Sequence, residues 1–287
     1  MRICCVLASD ADFFYQAQAC IVTLEHAAAG IADHEIRIGF VAIDLVTEQT
    51  AWLRDRGVVI FDDIDALPCF AQGPRHAPAL TCRPVLPRIL PGYDGYMWID
   101  SDIRFLDPHG LRAWVDGLAG SDAAIVISQE VESAYSVNHN PALSYNYHSE
   151  RLGRLAEVYD PAIVERLRYF MQFNSGLFAA DALSPIWPHF ERALQRALSA
   201  PFDRMREQDA LNVAILEVGR TARMPSVLNW LCSLAVPLRA ADGTWRHPLE
   251  PARLVHVAHL TNSSDFVDTP IGRVPLYEYY CHIGLTA

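Results

Sequence analysis

Strand-like and helix-like segments alternate along the first part of this chain. Short apolar runs typical of buried strands are separated by stretches whose apolar residues recur at helical spacing. The segments are 3–9 (strand), 14–29 (helix), 35–43 (strand), 47–56 (helix) and 57–63 (strand). Because parallel strands need a crossover connection, which is usually a helix, this order predicts an α/β fold. We expect a mainly parallel central sheet with helices on both faces.

The pattern continues after a proline-rich connection at 67–84. A stretch at 130–161 is rich in Tyr, Asn, His and Ser and predicts a loop followed by an amphipathic helix. The later predicted elements are strands at 95–99, 123–128, 172–180 and 253–260 and helices at 148–159, 188–200 and 208–217. Neither an internal repeat nor a linker interrupts the chain, so we predict a single domain over residues 1–287.

The charge of the chain restricts its partners. Its 34 acidic and 23 basic residues give a formal net charge of −11, and every basic residue is an arginine, because the sequence contains no lysine. Without a basic patch or tail, nucleic acid is not expected as a partner. Mechanisms that depend on a lysine, such as a Schiff base or a phosphate-binding P-loop, are excluded. An acidic chain of this kind would need a cation to bind a diphosphate.

No segment reaches the roughly 18 consecutive apolar residues of a membrane-spanning helix, so we expect no membrane span. The chain begins directly with a strand-like segment and lacks the features of a signal peptide. The expected location is the cytoplasm. The oligomeric state cannot be predicted from these features.

Two aspartates, Asp100 and Asp102, follow the apolar run at 95–99. Residues i and i+2 of an extended chain face the same side, so both carboxylates can bind one cation. Carboxylates suit Mn²⁺ or Mg²⁺, which also bind the oxygens of a diphosphate. An Asp-x-Asp tripeptide also occurs by chance as a pair of solvated acids. His256 or His259 can complete a mixed oxygen and nitrogen site, and their i,i+3 spacing predicts that one of them binds the ion, not both.

Six segments in this order resemble blocks of a known family: LASDADF at 7–13, TCRPVLPRIL at 81–90, GYMWIDSD at 95–102, FNSGL at 173–177, REQDALN at 206–212 and LVHVAH at 254–259. Together they resemble the family 8 glycosyltransferases, retaining enzymes that typically use UDP-galactose or UDP-glucose. The resemblance implies the GT-A fold, a Rossmann-like fold of nucleotide-diphospho-sugar transferases. It also implies a nucleotide-binding half at 1–128 and a sugar- and acceptor-binding half at 129–287.

The first block implies contacts with the donor nucleotide. Ala8, Asp10 and Phe13 fall on positions where the family lines the nucleotide site, with Asp10 at the uracil edge and Phe13 stacked on the base. Asp12 is an alternative to Asp10. Plain packing in the core is an equally good interpretation of Phe13.

The second block implies that Arg83 lies near the donor, where it would hold a sugar hydroxyl or one of the metal-binding acids. Pro84 and Pro87 are unusual there, because the family builds a helix and each proline removes a backbone donor. Arg88 is the alternative arginine.

The metal site implied by the resemblance consists of Asp100, Asp102 and His256, with Mn²⁺ or Mg²⁺ as the cofactor. Asp102 is the more direct carboxylate ligand and is counted among the catalytic residues. The glycine and the phosphate-binding lysine that follow in the family are absent here. An arginine, His259 or Asn262 would have to bind the diphosphate instead.

For the sugar, the resemblance implies donor contacts from Asn174, Ser175 and Gly176. Glu207 and Gln208 fall where the family binds the sugar hydroxyls and faces the anomeric carbon. Acids are also favoured in a first helical turn by the helix dipole, which is the structural alternative. An amide is a poor nucleophile, so we expect same-face attack by the acceptor, with Gln208 stabilising an oxocarbenium-like centre.

The acceptor is expected to be a saccharide or another small hydroxyl compound. Its predicted region is 130–148, in which aromatic and amide side chains suit a sugar ring, although a surface loop has a similar composition: Tyr135, His139, Tyr145, Tyr147 and His148.

Two other classes of protein remain as alternatives. A sugar nucleotidyltransferase usually carries a basic glycine-rich loop near its N-terminus, and this chain has neither Gly nor Arg between Ile3 and Cys20. A non-catalytic nucleotide-sugar binder would keep the metal site without turnover.

Overall fold

The computed structural model describes residues 1–70, 73–260, 266–269 and 272–275. The strands are β1 (Arg2–Asp10), β2 (Glu35–Ile43), β3 (Val59–Phe61), β4 (Gly95–Ile99), β5 (Ile103–Phe105), β6 (Ile125–Gln129), β7 (Phe173–Asp181), β8 (Thr221–Met224), β9 (Trp230–Leu231), β10 (Leu238–Arg239), β11 (Trp245–Arg246), β12 (Val257–His259), β13 (Phe266–Thr269) and β14 (Gly272–Pro275). The α-helices are α1 (Phe14–Ala28), α2 (Thr47–Asp55), α3 (Ala77–Thr81), α4 (Leu86–Ile89), α5 (Pro108–Ala119), α6 (Ser136–His139), α7 (Pro141–Ala156), α8 (Pro161–Arg168), α9 (Ile186–Ala197) and α10 (Arg206–Val218).

A seven-stranded sheet forms the centre of the molecule, in the order β3-β2-β1-β4-β7-β6-β8. Six of these strands run in one direction, and β7 is antiparallel to both of its neighbours, β4 and β6. The mainly parallel sheet predicted from the sequence is confirmed. One consequence matters for the site: the amino end of β7 lies at the same edge as the carboxyl ends of the other strands.

Both faces of the sheet are covered, as predicted. Alternate residues of β1 enter two different hydrophobic cores, with Ile3, Cys5 and Leu7 on one face and Cys4 and Val6 on the other. The first core contains residues of α1 and α5, and the second contains residues of α9 and α10. The continuous apolar run of β1 follows from this burial on both sides.

Two predicted elements differ from the structure. Helix α7 begins at Pro141, within the stretch predicted as a loop, because Asn140 caps it by accepting hydrogen bonds from the backbone of Ala142 and Leu143. The strand predicted at 253–260 is reduced to β12. It lies outside the central sheet, in a small sheet of order β5-β12-β9, and β13 and β14 follow it.

The two prolines of the segment 81–90 are accommodated by a break in the helix. Arg83–Val85 forms one turn of 3-10 helix and α4 follows directly, so that Pro84 and Pro87 each occupy the first turn of a short helix. A first-turn amide has no intrahelical acceptor, so no hydrogen bond is lost. Among the described residues, none of the helices combines the length and the apolar character needed to cross a membrane.

Candidate active site

Polar side chains from distant parts of the sequence meet at one edge of the central sheet. Asp10 is the last residue of β1, Asp100 follows β4 and Glu130 follows β6. Asn174 lies near the start of the antiparallel strand β7, and the backbone N–H of Asp100 donates to the carbonyl of Gly176 at 2.7 Å. This edge is where open α/β sheets bind ligands.

Asp100, Asp102 and His259 form a cluster whose ligand atoms all lie within 4.8 Å of one another. The Nε2 atom of His259 is 3.3 Å from Oδ1 of Asp102 and 4.0 Å from Oδ2 of Asp100. Burial raises the pKa of Asp100. Burial alone would lower the pKa of His259, but the negative charge of Asp102 outweighs it and raises that pKa. Two carboxylates and one imidazole are a donor set that Mn²⁺ accepts, so these residues fit the expected ion.

The histidine of this cluster is His259, whereas the family resemblance assigned the position to His256. The Nδ1 atom of His256 lies at a hydrogen-bond distance of 2.7 Å from Oδ2 of Asp107, and His256 is not part of the cluster. Strand β12 pairs antiparallel with β5, and the N–H of Leu260 donates to the carbonyl of Asp102. This pairing directs His259 toward the carboxylates, so His259, and not His256, lies in the cluster.

Arg83 connects the metal-type cluster to the helix α10. It is 3% exposed, and its Nη2 donates to Oδ1 of Asp100 at 2.7 Å. Its Nη1 donates to Oε2 of Glu207 at 2.8 Å and to the hydroxyl of Ser175 at 2.9 Å. Burial raises the pKa of Glu207 to about 7, although Arg83 opposes the shift. Arg83 therefore holds one acid of the cluster, and the alternative Arg88 pairs with Glu191 at the surface.

Gly176 makes room for the cluster. A β-carbon at this position would lie 2.3 Å from Cε1 of His259, 2.8 Å from Oδ2 of Asp100 and 3.0 Å from Oδ1 of Asn174. The first two distances are shorter than real β-carbon contacts and the third is unusually tight, so no other residue fits without moving its neighbours. The lack of space beside the cluster therefore explains why the Asn-Ser-Gly segment of β7 ends in glycine.

Glu130 joins the remaining polar groups and was not singled out by the sequence, which placed it only in the general acceptor region. Its Oε1 accepts hydrogen bonds from Nδ2 of Asn174 at 2.9 Å and from Nε2 of Gln208 at 3.0 Å, and Tyr147 donates to its Oε2. The backbone N–H of Ser175 donates to Oε1 of Gln208 at 3.1 Å, so the amide of Gln208 is held at both ends. Glu130 directly follows a strand that ends at this edge of the sheet, and this position is the sequence signal that could have identified it.

Three cavities open around these residues. The first, of about 410 Å³, is lined by the predicted nucleotide residues Ala8, Asp10 and Phe13 together with Asp100 and Asp102. Phe13 is 40% exposed, so its ring does not belong to the core, and Oδ1 of Asp10 accepts from the N–H of Phe13 at 3.0 Å. The alternative Asp12 is exposed and outside the lining.

The second cavity, of about 370 Å³, is lined by Asp100, Asp102 and His259 and by the residues predicted to contact the sugar: Asn174, Ser175, Gly176, Glu207 and Gln208. Asp100 and Asp102 thus line both cavities, and the metal-type cluster lies where they meet. Asn262 lies outside the described residues.

A third cavity, also of about 370 Å³, lies on the other side of Glu130 and Tyr147, which line it together with His148. Other residues of the predicted acceptor region lie elsewhere. Tyr135 is fully buried and its hydroxyl accepts from the N–H of Leu231, whereas Tyr145 is largely exposed.

A second group of metal-ligand residue types, Glu132, His247 and Glu250, is an ion-pair network. Nδ1 of His247 accepts the backbone N–H groups of Leu249 and Glu250, which leaves its Nε2 protonated and 3.1 Å from Glu132. Arg253 lies 3.1 Å from the other carboxylate oxygen. Burial alone would raise the pKa of Glu132, but hydrogen bonds from Ser226, Ser133 and His247 outweigh it and lower the pKa to about 2. Serine and arginine side chains thus engage both carboxylate oxygens of Glu132.

The fold and the site define a Rossmann-like α/β protein with a cluster suited to a divalent ion at the carboxyl edge of its sheet. No protein-family model matches the sequence, and no curated protein matches it either. The structure is similar to that of the galactosyltransferase LgtC in complex with donor and acceptor sugar analogs, with a TM-score of 0.57 and 17% identity over 99% of this chain and 96% of that one. It is also similar to mouse xyloside xylosyltransferase 1, with a TM-score of 0.55 and 12% identity over 91% of this chain and 98% of that one.

A third similar structure is the glycosyltransferase GlyE of Streptococcus pneumoniae, with a TM-score of 0.55 and 13% identity over 98% of this chain and 60% of that one. The chain therefore has the GT-A fold that the sequence resemblance implied. At these identities the similarity concerns the fold.

Proposed function

We propose that this protein is a metal-dependent glycosyltransferase that moves a hexose from a nucleoside diphosphate sugar, of the UDP-glucose or UDP-galactose type, to a hydroxyl group of a saccharide or another small acceptor. The observation that carries the proposal is the position of Asp100, Asp102 and His259 where the first and second cavities meet. A diphosphate bridges a nucleoside and a sugar, so an ion held there would bind its oxygens.

The two cavities differ in the chemistry of their walls. The first offers the exposed ring of Phe13 for a base and the carboxylate of Asp10 for its hydrogen-bonding edge. The second offers amide and carboxylate groups of Asn174, Gln208 and Glu130, which suit sugar hydroxyls. This difference supports the proposed halves, with residues 1–128 contributing most of the nucleotide side and residues 129–287 most of the sugar side.

When bound, Mn²⁺ or Mg²⁺ would supply Lewis-acid stabilisation of the negative charge that develops on the departing nucleoside diphosphate. Asp100, Asp102 and His259 would hold the ion. Arg83 orients Asp100 through the 2.7 Å hydrogen bond, and burial between Glu207 and Asp100 keeps its guanidinium in place.

We propose that the reaction retains the anomeric configuration, with the acceptor hydroxyl attacking on the face from which the diphosphate leaves. Gln208 is held by Ser175 and Glu130 and lines the second cavity, so its amide dipole is preorganised beside the sugar. The product of transfer, analysed by NMR, should carry the anomeric configuration of the donor, and an inverted product would refute same-face attack.

Release of UDP from UDP-glucose and UDP-galactose, with Mn²⁺ and with EDTA, tests the proposal. We expect slow, Mn²⁺-dependent hydrolysis that Asp102→Asn abolishes. The control Asp62→Asn, at an exposed position that lines none of the three cavities, should leave hydrolysis unchanged. Release of pyrophosphate from a nucleoside triphosphate and a sugar phosphate would instead identify a nucleotidyltransferase. Binding of the nucleotide sugar without any turnover would identify a non-catalytic binder.

A further inference from the structure

The cleft holds more negative than positive charge. Asp100, Asp102, Glu130 and Glu207 all line the second cavity, and Arg83 is already bonded to Asp100 and Glu207. A nucleoside diphosphate adds at least two further negative charges, and the chain has no lysine that could offset them. A divalent ion offsets the charge of the diphosphate but not that of the surrounding acids, so a further cation beside the diphosphate would favour its binding.

Arg204 is placed to supply that charge. It is exposed, and it lines both the first and the second cavity, together with Asp100 and Asp102. Over residues 1–70 and 73–260, no hydrogen bond or ion pair to its guanidinium is found, in contrast to Arg83. A cation without a partner at the junction of two cavities is free to bind an anion that spans them.

The backbone on both sides of Arg204 is held in place. The ring of Phe202 packs against Phe70 and His76, with centroid distances of 5.2 and 5.9 Å. The backbone N–H of Met205 donates to Oδ1 of Asp203 at 2.8 Å, which forms a tight turn around Arg204. The side chain is thus unpaired while its point of attachment is fixed, which reduces the entropy lost when it binds.

We propose that Arg204 binds the diphosphate of the nucleotide sugar, with its guanidinium fork contacting the phosphate oxygens. The inference rests on the proposed function and adds a donor-binding residue to it. A planar guanidinium can donate two parallel hydrogen bonds to a phosphate group, which an ammonium cannot match in geometry. Arg204 contacts neither the base nor the sugar hydroxyls in this assignment, so its removal should weaken binding only of ligands that carry the diphosphate.

Isothermal titration with UDP, UMP and uridine, each with Mn²⁺, tests this assignment on the wild type, Arg204→Gln, Arg204→Lys and the control Arg192→Gln. Arg192 is an exposed arginine of α9 that lines none of the three cavities. We expect Arg204→Gln to weaken UDP binding at least about tenfold, or about 1.4 kcal/mol, without changing uridine binding. Arg204→Lys should recover part of the loss, and Arg192→Gln should bind like the wild type.

Equal UDP affinity in Arg204→Gln and the wild type would overturn the role of Arg204 and leave the proposed function standing. An equal loss for UDP and uridine would also overturn it, since the residue would then act on the shape of the cavity and not on phosphate. A wild type that binds no UDP with Mn²⁺ would refute the UDP-sugar function itself, together with this extension of it.

Discussion

Replacement of Gly176 by alanine tests the geometry of the metal-type cluster directly. The added β-carbon would lie 2.3 Å from Cε1 of His259, and ordinary contact begins at 3.4 Å, so the two atoms must separate by about 1.1 Å. The Oδ2 atom of Asp100 must also retreat, from 2.8 Å. Strand β7 is buried between β4 and β6 and cannot shift easily, so the imidazole and the carboxylate would move instead.

We expect Gly176→Ala to weaken Mn²⁺ binding by about 10- to 100-fold, the range found when groups that orient metal ligands are removed. This range corresponds to about 1.4 to 2.7 kcal/mol. The overpacking should lower the free energy of unfolding by about 1–3 kcal/mol as well. Titration calorimetry with Mn²⁺ measures the first quantity, and urea unfolding without metal measures the second.

Gly153→Ala is the matched control, because nothing lies within 4 Å of a β-carbon at Gly153. It lies in α7, where alanine is favoured over glycine by up to about 1 kcal/mol, so the control should be as stable as the wild type or more stable, with unchanged Mn²⁺ affinity. If Gly176→Ala binds Mn²⁺ as tightly as the wild type, His259 and Asp100 do not share an ion, and the assignment of the cluster fails.

Three further predictions follow from the same contacts. His259→Ala should lower Mn²⁺ affinity at least about tenfold. His256→Ala should lower thermal stability, because its hydrogen bond with Asp107 is lost, and should leave the Mn²⁺ affinity unchanged. Equal effects of the two variants on the affinity would contradict the placement of the two rings. Glu130→Ala should reduce kcat for UDP-sugar hydrolysis by about 100-fold with little change in Mn²⁺ affinity, because it removes the carboxylate oxygen that accepts hydrogen bonds from Asn174 and Gln208, so the amide of Gln208 is no longer held in place. An unchanged kcat would show that Glu130 does not position that amide. Glu132 has a pKa of about 2 in the folded protein, below the ordinary value of 4.5, so its contribution to stability is present above pH 4.5 and is lost as the pH falls toward 2. Urea unfolding should therefore show a smaller loss of stability between pH 5 and pH 2 in Glu132→Gln than in the wild type, and parallel losses would contradict the lowered pKa.

The histidine that lies beside Asp100 and Asp102 shows why the sequence alone did not identify the whole site. His256 and His259 are three residues apart, and the spacing correctly indicated that they face opposite sides. It could not show which side faces the cleft, because that depends on the antiparallel pairing of β12 with β5, two segments more than 150 residues apart. The family resemblance assigned this position to His256, whereas the strand register brings His259 to the two aspartates.

The contacts of Arg83, Glu130 and Arg204 escaped prediction for a related reason. Arg83 bonds to Ser175 and Glu207, which are 92 and 124 residues away in the chain. The partners of Glu130 likewise come from β7, α7 and α10. Which charges pair and which remain free is decided only when these elements pack together.

The sequence by itself determined the alternation of strands and helices, the mainly parallel sheet and the pair Asp100 and Asp102 at a strand end, because hydrophobic periodicity and i,i+2 geometry are local properties of the chain. Only the tertiary structure decided that β7 runs antiparallel and brings Gly176 beside Asp100 and that His259 completes the cluster. It also decided that Arg204, which has no partner among the described residues, lines both cavities. These features depend on strand register and on contacts between remote segments, which no local pattern encodes.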